Sequence, residues 1–306
     1  MKDNHKLIET IEQHIKTSSN SCTSMTVTVF GDMVSQHGSW IWLSSLITAL
    51  APLGFNERQV RTSVYRLVQN DWLQVKKIGR CSYYCFTDFA MNHYEKVAKR
   101  LYADKQHAWD QSWLLVLPVS VSEDKKEEFR KSLSWLGFNA ITTGMYAHPS
   151  SDRSSLDEVM HELGIIKDVV VFNAKTSDVN SQGAIKQLLK MRWKLAEIEG
   201  YYQNFVTFYG DLYKKICQSS PSKQECFILR AAIIHDFRRI LLRDPDFPHD
   251  MLPQGWVGHA AQDLVKRVYQ LVAQPSLYYV EENMKNELGH LPAVNEQFFT
   301  RFGGIN

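Results

Sequence analysis

The chain has 306 residues, of which 44% are hydrophobic and 22% charged, with 15 Gly and 9 Pro. This is ordinary globular usage, with enough length for two or three domains, and it excludes a collagenous or mostly disordered chain and a mini-protein that needs metal or disulfide staples. A net charge of +2 is too small for a generic polyanion binder. The longest apolar runs, such as residues 113–119, fall far short of the ~20 residues that span a bilayer, and no basic-then-apolar leader opens the chain. Five scattered cysteines (Cys22, Cys81, Cys85, Cys217 and Cys226) read as reduced thiols rather than a disulfide framework. The expected location is the cytoplasm.

Along the chain, Leu7, Ile8, Ile11 and Ile15 make an amphipathic opening, and Leu43, Leu46, Ile47 and Leu50 form the stripe of a second helix that stops at Pro52 and Gly54. Asn56 with Gln59 three residues on is a capping-box pattern, and residues 57–70 contain no Gly or Pro, so a third helix starts there. At ~100° per residue, Val60, Val64, Leu67 and Val68 fall on one side of it. Arg58, Thr62 and Tyr65 line the other, flanked by Gln59, Arg61 and Arg66. Residues 72–75 and 82–86 read as two strands around the tip Lys76-Lys77-Ile78-Gly79-Arg80. Residues 56–80 hold six basic side chains against two acidic ones, a local charge of +4.

Helix, turn, helix and basic hairpin is the layout of a winged helix-turn-helix, whose last helix enters the major groove of DNA. Arg pairs bidentately with guanine, Gln with adenine, and Thr and Tyr reach methyl groups or phosphates, while hairpin cations (Lys76, Lys77, Arg80) meet the backbone. Two blander readings stay open: a charge run that is only a solvated face, and a winged helix that binds protein.

A polar stretch over residues 93–108 reads as a connecting helix or linker. Strands are expected at 113–119, 139–143, 144–148 and 169–172 and helices at 124–136 and 156–163, which together make a ferredoxin-like β-α-β-β-α-β unit. Apolar and aromatic residues then recur at helical spacing over 184–216, with further helices over 225–242 and 259–272 and a Pro-rich connection at 244–258. The expected fold class is α+β multidomain, divided into a winged helix with connecting helix (1–108), a ferredoxin-like central domain (109–182) and a helical carboxy-terminal domain (183–306).

No P-loop and no GxGxxG after a strand is present, and His161-Glu162 lacks the second His of a zinc-protease helix. Cys81 and Cys85 share a strand face without two further ligands, so they read as packing residues. His235, in an apolar helix, reads as a hydrogen-bonded core residue. No enzymatic chemistry, cofactor or metal is expected. The main alternative is a metal-dependent nuclease that uses the central domain, although the acids nearest its first strand, Glu123 and Asp124, fall where a helix start favours negative charge.

Phe30-Gly31-Asp32, Leu53-Gly54-Phe55, Val60-Arg61-Thr62, Arg66-Leu67 and Gly79-Arg80 in the first half are followed by Asp244-Pro245, Leu252-Pro253, Trp256, Gly258-His259-Ala260 and Arg301-Phe302-Gly303-Gly304. This ordered set resembles the PaaX family of phenylacetic acid degradation repressors over nearly the whole chain. The resemblance implies a homodimeric transcriptional repressor of aromatic acid catabolism genes, released from operator DNA when phenylacetyl-coenzyme A binds, with a central domain similar to CRISPR-associated Cas2 proteins. Family members often carry a basic residue where this chain has Cys81. An acyl-coenzyme A needs cationic donors for its phosphates and an apolar slot for its tail. Arg238, Arg239 and Arg243 before the Pro-rich loop, with Trp256 and His259 after it, are the candidates. The alternative is that these arginines pair with Asp236, Asp244 and Asp246 to brace the loop. Arg192 and Lys194 beside Trp193 form a second candidate.

Overall fold

A computed structural model describes residues 2–18, 21–103, 109–149, 153–176 and 178–305. The side chains of Leu7 and Ile8, and residues 104–108 of the expected linker, lie outside the described residues. The chain forms two compact units, one of Met1–Asp104, Asn204–Arg239 and His259–Asn306, the other of Lys105–Gln203 and Ile240–Gly258. Each unit is thus assembled from segments far apart in sequence, and the carboxy-terminal helices are shared between them.

The first unit opens with α1 (Lys2–Thr17), which buries Ile11 and Ile15, and α2 (Cys22–Asp32), which is buried on nearly every side as a central helix should be. The Ser21 side chain caps α2 by accepting from the Ser24 N–H at 3.1 Å. The short strand β1 (Ile41–Trp42) runs directly into α3 (Leu43–Leu50), where Leu46 and Leu50 are buried. A turn through Pro52 ends at Gly54, whose φ of 86° is left-handed. Next come α4 (Glu57–Gln69), the antiparallel strands β2 (Leu73–Ile78) and β3 (Cys81–Phe86), and α5 (Asp88–Leu101). The three strands make one sheet in the order β1-β3-β2.

In the second unit β4 (Trp113–Pro118), α6 (Glu123–Trp135), β5 (Asn139–Thr142), β6 (Met145–Pro149), α7 (Arg153–Glu162) and β7 (Val169–Ala174) follow one another. Their sheet has the order β5-β6-β4-β7, with β4 antiparallel to both β6 and β7. Phe129 and Leu133 of α6 and Leu156 and Met160 of α7 pack with Val116 of β4 into its core. The continuous helical spacing over 184–216 resolves into two helices, α8 (Val179–Arg192) and α9 (Leu195–Cys217). The chain breaks at Lys194, which adopts φ 49° with neither Gly nor Pro to announce it.

Two long helices complete the first unit, α10 (Lys223–Leu241) and α11 (Val257–Asn283), followed by a small hairpin of β8 (Lys285–Asn286) and β9 (Gly289–His290). The helix expected to stop near 272 runs on through Pro275, because Leu277 and Val280 continue its buried stripe. Among the described residues no helix is long and apolar enough to cross a membrane, and all five cysteines are free thiols.

A polar cluster sits at the heart of this unit. Asp32, at the end of α2, and Arg230 of α10 are both 0% exposed, and Arg301 lies beside them. Arg230 Nε donates to Asp32 Oδ2 at 2.8 Å and Arg301 Nη1 to Oδ1 at 2.7 Å. The Tyr102 and Tyr269 hydroxyls also donate to Oδ1, at 2.5 and 2.9 Å. Arg230 reaches the Asp32 carbonyl and the Ser276 hydroxyl as well. Burial opposes the Asp32 charge, but Arg230 and Arg301 overcome it and hold its carboxyl below the ordinary value. Gly31 has its own reason to lack a side chain, since a Cβ there would come within 2.2 Å of the Tyr94 ring.

Candidate nucleic-acid interface

The helix α4 begins at a complete capping box: the Asn56 side chain accepts from the Gln59 N–H and the Gln59 side chain from the Asn56 N–H, both at 2.9 Å. Val60, Ser63, Val64 and Leu67 are buried, while Val68 is half-buried at the edge. This anchoring leaves Arg58, Gln59, Arg61, Thr62, Tyr65 and Arg66 exposed, Tyr65 at 65%. The six α4 residues among the nine expected to face DNA are therefore presented on the side of this helix away from its core.

Their freedom differs. The Gln59 oxygen is engaged by the cap, and Arg61 pairs with Glu57 one turn earlier through Nε and Nη2, at 2.8 and 2.7 Å. Thr62 donates its hydroxyl to the Arg58 carbonyl at 2.8 Å. An exposed i,i+4 pair such as Glu57–Arg61 is worth only about 0.3–0.5 kcal/mol, so a guanine or phosphate can replace Glu57 as the partner of Arg61.

The hairpin departs from the expected shape. Its strands pair down to Ile78 and Cys81, so the expected five-residue tip contracts to Gly79-Arg80, with Gly79 at φ 58°. A two-residue hairpin turn needs such a residue at its first central position. Lys76 and Lys77 consequently lie in β2, opposite Tyr83 and Ser82, and point to opposite faces of the sheet. Lys77 and Arg80 are exposed. Lys76 is exposed too, but its ammonium is engaged, 3.0 Å from Glu287 in the β8–β9 hairpin and 5.8 Å from the centre of the Trp40 ring. The Lys285 N–H donates to Ser45 of α3, which ties the same hairpin down. Sequence reading missed Glu287 because it lies 211 positions from its partner.

The residues expected around an effector are placed as follows. Arg238 is buried on α10 and donates to the Thr28 hydroxyl at 3.3 Å and to the Ser24 carbonyl and hydroxyl at 3.2 Å, so its guanidinium braces α10 against α2. Burial lowers the pKa of this group. Arg239 donates to the Ser18 carbonyl at 3.2 Å. In the second unit, Arg243 is exposed and stacks over Tyr201 at 5.0 Å, and buried Trp256 meets the Tyr202 ring edge-on at 5.9 Å. Gly258 makes room for that indole, since a Cβ there would sit 2.4 Å from its nitrogen. His259 is half-buried in the first turn of α11. Asp244 accepts from the Tyr202 hydroxyl at 2.5 Å, and Asp236 from Tyr209 at 2.8 Å. His235 is buried with Nδ1 3.0 Å from the Thr28 hydroxyl. At the second candidate, Arg192 offers its carbonyl to Asn139, and Lys194 lies 3.9 Å from Glu197.

Glu123 and Asp124 both open α6, where Glu123 pairs with Lys126 at 2.5 Å. The Ser122 hydroxyl, followed by backbone donors, keeps the Asp124 carboxyl below its ordinary value. Among the described residues no group of three His, Cys, Asp or Glu is placed to hold a metal ion.

Three family models match consecutive parts of the chain: PaaX-like protein over residues 21–90, the PaaX protein central Cas2-like domain over 106–185, and the PaaX-like protein C-terminal domain over 193–282. The chain is also 33% identical over 302 residues to the transcriptional repressor PaaX of Escherichia coli (strain K12), a match covering 98% of this chain and 96% of that protein. The chain belongs to the PaaX family. Among solved structures, the uncharacterized protein Rv0674 from Mycobacterium tuberculosis is similar with a TM-score of 0.48 at 18% identity, covering 81% of this chain and 94% of that one.

Proposed function

We propose that this chain is a ligand-responsive transcriptional repressor of phenylacetic acid catabolism genes that binds operator DNA and performs no chemistry of its own. In this reading α2, α3 and α4 with the β2–β3 hairpin are a winged helix-turn-helix, α4 is the recognition helix, and Arg80 and Lys77 meet flanking phosphates. The central sheet, in the order β5-β6-β4-β7, is a ferredoxin-like fold. A homodimer carries two recognition helices to a roughly palindromic site. The observation that carries the reading is the exposed α4 face of Arg58, Arg61, Thr62, Tyr65 and Arg66 beside a basic hairpin, in a chain similar over 98% of its length to a transcriptional repressor.

Phenylacetyl-coenzyme A acts as the effector by favouring a conformer with misplaced recognition helices. A coupling of about 1–3 kcal/mol weakens operator binding about 5- to 150-fold. The test is a gel shift or calorimetric titration with DNA from upstream of the gene, with and without phenylacetyl-coenzyme A. Salt-dependent binding that the thioester reverses supports the reading, and DNA affinity indifferent to salt and sequence overturns it.

A further inference from the structure

The β2–β3 hairpin has two faces. Leu73 and Phe86 stand opposite each other on the inner one, where both are buried and Phe86 meets Phe30 of α2 at 5.3 Å between ring centres. Period-two alternation puts Gln74, Lys76 and Ile78 on the outer face, with Cys85, Tyr83 and Cys81 across from them. The β8–β9 hairpin is set against that outer face: Glu287 pairs with Lys76, and its charge reaches Tyr83 and Cys85 of β3.

The charge of this second hairpin is opposite to that of its neighbour. Residues 281–290 hold Glu281, Glu282 and Glu287 against the single lysine Lys285. Glu287 is the more enclosed partner of its pair, its side chain 18% exposed against 48% for Lys76. One carboxylate oxygen takes the Lys76 ammonium at 3.0 Å, and the other, Oε2, is buried with no hydrogen-bond partner among the described residues. A buried acceptor left unpaired makes the docked position costly, so the pair with Lys76 works against a penalty. The hairpin that carries it is lightly built. Each strand has two residues, too few to stand alone, and Leu288 at the tip is 90% exposed. Its ties include the Lys285 N–H to the Ser45 hydroxyl and the Leu291 N–H to the Met284 carbonyl, both at 3.0 Å. Segments with so little burial open locally at low cost.

One ammonium cannot serve this carboxylate and a phosphate together. A DNA duplex carries one negative charge per ~1.7 Å of axis, so a duplex brought to the β2–β3 hairpin attracts Lys76 and repels Glu287 at the same time. We propose that the β8–β9 hairpin is an autoinhibitory latch: Glu287 holds Lys76 in place of a backbone phosphate, and DNA undocks the hairpin to gain that contact. The latch rests on the reading of α4 and the β2–β3 hairpin as a DNA-binding surface and adds a means of regulating it. Coupling of this kind is reciprocal, so DNA loosens the hairpin and whatever loosens the hairpin tightens DNA binding.

The full-length protein, Glu287→Gln, Lys76→Ala and the double variant are titrated with DNA from upstream of the gene at several salt concentrations, with melting temperatures recorded. Hydrogen exchange at the Lys285 and Leu291 amides is followed in the unaltered protein with and without that DNA. The expected result is binding about two- to fivefold tighter in Glu287→Gln, a gain that vanishes when Lys76 is also replaced, and faster exchange of both amides on DNA. No gain from Glu287→Gln overturns the latch and leaves the repressor reading standing. An equal gain in the Lys76→Ala background does the same, because the carboxylate then acts only through the general charge of the protein. So does amide exchange that DNA leaves unchanged or slows, and this measurement decides alone should Glu287→Gln melt early. Absence of salt-dependent binding by all four proteins overturns the repressor reading and the latch with it.

Discussion

On the outer face of α4, Arg58, Arg61 and Arg66 stand in solvent, and Glu57, which pairs with Arg61, is itself exposed. In the interior of the same unit, buried Arg230 and Arg301 share a single carboxylate, and the Arg301 guanidinium lies 4.0 Å from the centre of the Tyr102 ring. The residue type is the same and the physics differs. In water an Arg–carboxylate pair is weak and exchangeable. In the interior the desolvation of the charges is already complete, so each remaining partner is held by the penalty for losing the other. Placement decides whether a guanidinium serves recognition or the fold.

The sharpest way to break that contrast is to remove the shared carboxylate. Asp32→Ala leaves two buried guanidinium groups facing each other and should cost about 3–5 kcal/mol, read as a lower urea midpoint, whereas Arg58→Ala should leave the midpoint within about 0.5 kcal/mol. Similar midpoints for the two variants would erase the distinction.

Acid provides a second probe of the same interior. His37, which lies in the field of Arg230 and Arg301 and donates through Nδ1 to the Pro292 carbonyl at 2.8 Å, is driven chiefly by burial down to about 4, and His235 likewise to about 3. Unfolded imidazoles take up a proton near 6.5. The unfolded state therefore binds more protons below that value. The contribution of these residues is intact above about pH 6.5 and is lost as the pH falls toward 4, a loss on the order of a few kcal/mol. Thermal melts between pH 7 and 4 should show this decline, and His37→Asn should shrink it.

On the exposed side, Arg58→Ala or Arg61→Ala should cost about 1–3 kcal/mol of operator affinity and relax base preference where the side chain is bidentate to guanine. Operator titrations against shuffled competitor DNA measure both effects, with melting unchanged. The cap that orients this face is worth about 1 kcal/mol, so Asn56→Ala should lower stability by that amount. Smallest of all is the hairpin pair. Lys76→Ala should weaken all sequences alike and flatten the salt slope by about one unit, and Glu287→Gln, which releases Lys76, should tighten binding to all sequences alike. A Lys76 that stays with Glu287 on DNA would leave the slope of Lys76→Ala unchanged.

Much of the exposed region was legible from neighbours in sequence. The period of Val60, Val64 and Leu67, with Asn56 and Gln59 at capping distance, defines both the helix and its outward face, because the interactions responsible span three or four residues. The interior was not legible in that way. Asp32 meets Arg230 and Arg301 across 198 and 269 positions, a pairing that leaves no periodicity. Phe30-Gly31-Asp32 and Arg301-Phe302-Gly303-Gly304 stood out as family marks without any hint that they touch. The hairpin tip was drawn too long because Lys76 and Lys77 look like loop residues, although their register with Tyr83 and Ser82 makes them strand. The break between α8 and α9 was missed for the opposite reason, since Lys194 adopts a left-handed backbone without the usual punctuation.

The sharing of Asp32 among α2, α10 and the final turns has a practical corollary for anyone building chimeric regulators. A graft of residues 1–103 onto a foreign sensor would carry an anionic side chain into a core stripped of both its counter-charges. A workable exchange has to transplant Arg230, Ser276 and Arg301 with their helices, or else replace Asp32 and the tyrosines around it by apolar residues of matching volume.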